Sequence, residues 1–148
     1  MGDRTTVTLT VLKAHLNEAK QYFEFGPEEE TVGEMFVNFL FYEVNYGTLP
    51  FLDKLMEAGI PFTADWDSGG DYGPGSHFCR YTADGELQEI ELSNEYVNPD
   101  LTRLMGLLDE PEALKEYIVN HHKAVTPLPW DNQVEYAKLF RTKKLIST

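Results

Sequence analysis

The run from Met35 to Tyr46 (MFVNFLFYEVNY) constrains the fold more than any other part of the chain. As a helix it would point aromatic rings in every direction. A central strand with both faces covered, in contrast, needs just such a continuous apolar, aromatic-rich segment. The run therefore predicts a strand over 35–46. A second strand is read from the alternation of Val7, Leu9 and Val11 with Thr6, Thr8 and Thr10. Between them, Leu12, Leu16, Ala19 and Phe23 recur at helical spacing and predict a helix over 13–23, stopped by Gly26 and Pro27. Glu28, Glu29 and Glu30 fall in a loop or ahead of a capping-box pattern at Thr31 and Glu34.

Thr48 and Pro50 open a short helix that turns Leu52, Leu55 and Met56 inward and ends at Gly59. Ile60, Phe62, Ala64 and Trp66 alternate as a third strand, and the glycine-rich segment 67–76 is an irregular loop. Residues 77–82 and 86–92 flank Ala83-Asp84-Gly85, good chemistry for a hairpin. After Asn98 and Pro99 the period becomes helical, with Leu101, Leu104, Met105 and Leu108 on one stripe. A further helix opens at Pro111, and a last one starts near Asp131. The expected architecture is a single α+β domain over 1–148, ordered β-α-β-α-β-β and then C-terminal helices. Its four-stranded mixed sheet contains right-handed parallel crossovers and is packed by helices.

Charge narrows the function. The formal net charge is −13, yet residues 24–100 hold 17 acids and only two bases, Lys54 and Arg80, while the flanking segments are each close to neutral. This balance disfavours direct binding to nucleic acid or anionic lipid, which need positive surface. No apolar run approaches the ~20 residues of a membrane span, and the first residues lack a signal-peptide core. The single cysteine, Cys79, cannot form an internal disulfide, so a reducing cytoplasm is expected. At 42% hydrophobic residues the chain has enough apolar material for a packed core.

The candidate chemistry is sparse. Asp65, Asp67 and Asp71 resemble the start of a calcium loop. Gly69 and Ser76, however, stand where a fifth-position Asp or Asn and a closing Glu belong, so the segment reads as an acidic loop. His77 and Cys79 alternate onto one strand face, but lie ~6–7 Å apart at the backbone and lack a second cysteine to complete a zinc site. His121 falls on an apolar helix face, where a histidine is ordinarily a hydrogen-bonded core residue. Glu43, within the aromatic run, must pair, reach solvent or shift its pKa. It and Asn45 stand at a strand end, near the loop that carries Asp65, Trp66, Asp67, Asp71 and Tyr72. With His77, these eight residues form the candidate binding surface. No catalytic residue, metal or cofactor is assigned, and the nucleotide-binding and hydrolase motifs are missing.

The reading that follows is an acidic binding protein docking on a basic protein partner, as adaptor or inhibitor. A DNA mimic is one form of it. A domain with a radius of gyration near ~15 Å would have to imitate ~22 phosphates, which requires the carboxylates to cluster. The alternative is a small enzyme or ligand-binding domain with its site at the strand ends and the loop 67–76.

Overall fold

A computed structural model describes residues 3–70 and 72–147. The strands are β1 (Arg4–Leu12), β2 (Glu29–Val32), β3 (Phe36–Asn45), β4 (Phe62–Trp66), β5 (Gly75–Tyr81) and β6 (Leu87–Ser93). They form one sheet in the order β2-β3-β1-β4-β5-β6, and every neighbouring pair is antiparallel. The α+β class is as expected, but the sheet has six strands rather than four and is not mixed. β2 has all four residues exposed, so no alternation announces it. It pairs with β3 along the sheet's outer edge. β3 and β4 do run parallel to each other, as the expected crossover requires, but β1 lies between them and pairs antiparallel with both. The capping box proposed at Thr31 does not form, because Thr31 is a ladder residue opposite Asn38.

The core lies on one face of this sheet. Val7, Leu9 and Val11 are fully buried there with Val37, Phe39, Phe41, Phe62, Cys79 and Tyr81. The run 36–45 is a strand, but only one of its faces is closed, since Asn38 and Tyr42 are exposed. An antiparallel sheet tolerates that asymmetry. Its alternation breaks at Glu43. Thr5 pairs with Val44 and Val7 with Phe41, so Tyr42 and Glu43 together oppose Thr6 in a β-bulge. Glu43 sits in the left-handed region at φ 56°. A regular strand would turn residue 43 inward after Phe39 and Phe41. The bulge turns it out and brings Val44, 4% exposed, into the core instead.

Three helices close the core face. A single 3-10 turn (Lys13–His15) leads into α1 (Leu16–Lys20), shorter than the spacing predicts. α2 (Leu52–Glu57) buries Leu52, Leu55 and Met56 as expected, with Phe51 rather than Thr48 at its N-cap, and Gly59 follows at φ 74°. α5 (Gln133–Ser147) stacks Phe140 against Tyr81 at 4.7 Å between ring centroids. Its first residue, Gln133, exchanges two hydrogen bonds with the backbone of Tyr81, at 2.8 and 2.9 Å.

Of the remaining helices, α3 (Leu101–Gly106) and α4 (Pro111–Val125), α4 borders β6. Leu101, Met105, Leu108 and Ile118 remain exposed, so the predicted stripe is not a core stripe. No helix among the described residues is long and apolar enough to cross a membrane.

Arg80 is 3% exposed and forms no ion pair among the described residues. Its guanidinium donates to the carbonyls of Phe62 (2.6 Å), Cys79 (3.1 Å) and Leu128 (3.0 Å) and to the Thr63 hydroxyl (2.8 Å), and it stacks on Trp130 at 3.8 Å. Burial lowers its pKa to about 10, which leaves it charged at neutral pH.

Candidate functional site

One end of the sheet collects the start of β1, the ends of β3 and β4, the start of β5 and the end of β6. Most of the sequence-derived candidates meet here, though not as one cluster. Glu43 and Asn45 gather around Arg4, whose guanidinium lies 3.6 Å from the Glu43 carboxylate and donates to Asn45 Oδ1 at 3.2 Å. The ion pair is solvent-exposed and stabilises by no more than ~1 kcal/mol. Asp65 points to the open face of the sheet, opposite to Trp66, and its carboxylate accepts a short hydrogen bond from the Ser76 hydroxyl. Asp67 is anchored through its backbone, its N–H donating to Thr6 O at 3.0 Å. Asp71 lies outside the described residues.

Trp66 organises the loop. It pairs across the ladder with Val7 on one side and Gly75 on the other, and Gly75 pairs in turn with Ser93. The indole lies over Gly75 so closely that a methyl group there would overlap it. Gly47, at φ 65°, approaches from the other side, where an added Cβ would come within 2.7 Å of the tryptophan's own Cβ. Two glycines thus leave room for the ring, a close-approach role that a residue with a side chain could not fill. The indole N–H donates to Gly73 O at 3.0 Å, tying the 67–74 loop back onto β4. A backbone bond from Gly69 N to Tyr72 O (3.0 Å) closes the tip.

Beside this ring lies a recess of about 280 Å³ lined by Tyr46, Thr48, Trp66, Tyr72, Gly73, Glu91, Ser93 and Glu95. It offers three aromatic side chains, two carboxylates and the aliphatic hydroxyls of Thr48 and Ser93, and none of the described residues that line it is basic. Burial raises the Tyr72 phenol above its ordinary pKa, and the Asp3 carboxylate and Tyr46 add to the shift. The Tyr72 hydroxyl is enclosed without a hydrogen-bond partner among the described residues. Trp66 and Tyr72 were legible as candidates, whereas Tyr46, Glu91, Ser93 and Glu95 were missed. The hairpin turn at Gly85 contained the missing signal for two of them, since its register sets Glu91 opposite His77 and Ser93 opposite Gly75.

His77 belongs elsewhere. It is 8% exposed on the core face, contacts Phe62 edge-on, and holds Glu89 through Nε2 at 2.6 Å. Cys79 shares that face but turns its thiol to Ile60 O (3.7 Å) and the Tyr81 hydroxyl (3.5 Å). Burial pushes this thiol up to about 12, so it stays protonated and is no nucleophile at neutral pH. His121 is hydrogen-bonded to Val97 O at 2.8 Å. Among the described residues, no three His, Cys, Asp or Glu side chains are placed to hold a metal ion.

A larger cavity of about 670 Å³ opens at the opposite end of the sheet, between Leu12, Met35, Trp130 and the start of α5. Its charged lining is mixed, Lys13 with Glu34, Asp131 and Glu135, and its one aromatic ring, Trp130, already stacks on Arg80.

No protein-family model, no curated protein and no solved structure matches the chain.

Proposed function

We propose that this chain is a non-catalytic binding module that docks on a basic protein partner, with the strand end around Trp66 as its contact site. The observation that carries the reading is the fate of the two bases in residues 24–100. Arg80 is buried among backbone carbonyls and Lys54 is occupied by Glu24 at 3.4 Å, so most of the segment's 17 carboxylates face solvent without a cation of their own segment. Such a surface attracts a cationic partner and accelerates its encounter.

The carboxylates are spread widely. Glu28, Glu29 and Glu30 line the β2 edge, Glu89 and Glu91 sit on β6, and Asp53 and Glu57 on α2. The two edge strands of a six-stranded sheet are ~24 Å apart at ~4.8 Å per strand. Docking at a local site, as an adaptor or inhibitor, fits this spread better than imitation of a DNA duplex. The ligand-binding alternative converges on the same strand end. A single buried thiol also suits the reducing cytoplasm expected of the chain.

The test is calorimetric titration with a peptide of alternating Lys and Gly at 20 and 300 mM salt. Affinity is expected to fall more than tenfold at the higher salt. Glu91→Gln with Glu95→Gln should weaken binding more than Asp53→Asn with Glu57→Gln, which removes the same charge from α2. Absence of binding at low salt, salt-indifferent affinity, or equal losses in the two double variants would overturn the proposal.

A further inference from the structure

Resting on that reading, we infer that the recess beside Trp66 receives an organic cation, the alkylammonium or guanidinium head of a basic side chain on the partner. The lining selects by chemistry. An anion would meet Glu91 and Glu95 with no base among the described lining residues to offset them. A hard metal ion needs several convergent oxygens, and no three carboxylate or imidazole groups among the described residues provide them. A neutral apolar group would desolvate two carboxylates without compensating them. A cation on an alkyl stem satisfies every wall, because its charge faces the carboxylates and its stem and head lie against aromatic faces.

The three rings are suited to this in different ways. The Trp66 indole N–H is already committed to Gly73 O, so the ring offers the recess its π surface and no free donor. It is also fixed in place, held between Gly47 and Gly75, so little ordering is required when a ligand arrives. Tyr46 stands at φ 54° immediately before Gly47 and is 62% exposed, an amphipathic ring presented to solvent at the mouth. Tyr72 stands on the glycine-rich loop, against the Gly69 backbone. An aromatic enclosure rimmed by carboxylates is a recurrent means of recognising ammonium and guanidinium groups.

The experiment follows the Trp66 indole N–H and the Gly73 and Ser93 amides by ¹⁵N–¹H correlation spectra of the whole chain. The probes are N-acetyl-lysine amide, N-acetyl-arginine amide, tetramethylammonium chloride and, as neutral control, N-acetyl-norleucine amide. Saturable shifts are expected with the cations, half-complete in the millimolar range typical of one small ligand, and none with norleucine. Tyr46→Ala, at an exposed position, should weaken the response at least threefold, and Glu91→Gln with Glu95→Gln at least fivefold. A tighter response to lysine or to arginine supports the inference and names the head group. No saturable shift with any cation, or an equal response to norleucine, overturns it. If the cation probes leave the recess signals unmoved while the basic peptide still binds in a salt-sensitive way that Glu91→Gln with Glu95→Gln weakens, the recess inference falls and the docking proposal stands.

Discussion

Acidification should unfold this domain in part through one residue, His15. It is 5% exposed at the start of α1, and its Nδ1 is enclosed without a hydrogen-bond partner among the described residues. Burial, and then the nearby Arg141 cation, lower its pKa from the usual 6.5 to about 4. The unfolded chain therefore takes up a proton near pH 6.5, whereas the folded chain resists it until about pH 4. Stability from this group is complete above pH 6.5 and is lost as pH falls toward 4, because the unfolded state binds more protons throughout that window. At ~1.36 kcal/mol per pH unit the whole window amounts to ~3 kcal/mol, and solvent screening brings the loss expected at pH 4.5 to about 2 kcal/mol. That is a large share of the ~5–15 kcal/mol that holds an ordinary domain together. Urea denaturation followed by far-UV circular dichroism at pH 7.5 and 4.5 measures it. His15→Leu removes this titration and leaves every other one in place, so the variant should lose about 2 kcal/mol less than the wild type between the two pH values. An equal decline in both proteins would refute the assignment.

Three further outcomes follow from the geometry. Gly75→Ala drives a methyl group into the Trp66 indole and toward Leu92 O, and should cost roughly 2–4 kcal/mol, read as a fall in midpoint urea concentration with altered tryptophan emission. Glu43→Gly relieves the left-handed backbone at φ 56° while giving up only an exposed pair with Arg4, so it should be neutral or stabilise by up to ~1 kcal/mol in the same denaturation assay. Cys79, fully buried, should react with a thiol reagent at pH 8 only at the rate of unfolding, and a fast native-state reaction would contradict its placement.

What the sequence made legible was what alternation or helical spacing encodes. Val7, Leu9 and Val11 point inward as their period of two requires, and Leu52, Leu55 and Met56 line the buried side of α2. Glu29–Val32 escaped because an edge strand with every side chain exposed has no buried face to leave a pattern. That strand and both arms of the 77–92 hairpin, with β1 placed between β3 and β4, make the sheet six-stranded and antiparallel rather than four-stranded and mixed. The Leu101–Leu108 stripe misled in the opposite sense, since helical spacing reports amphipathicity and not what the apolar side meets. At the site, Trp66 and Tyr72 stood out as aromatics beside glycines, but what they share with Glu91 and Glu95 depends on long-range register. Tyr46 was reached only through a left-handed backbone that no local residue type announces.

The bulge at Glu43 has a consequence for how much change β3 can absorb. Deleting that single residue would let Thr6 meet Tyr42 in an uninterrupted ladder, with Phe39, Phe41 and Val44 still facing the core. A deletion at Asn38 or Leu40 would instead rotate part of the strand by half a period and send phenylalanines into solvent. Position 43 is the strand's one residue of slack. The direction in which the chain leaves toward Tyr46 and Gly47 can therefore be retuned there by insertion or loss, without renegotiating the interior on which the rest of the domain depends.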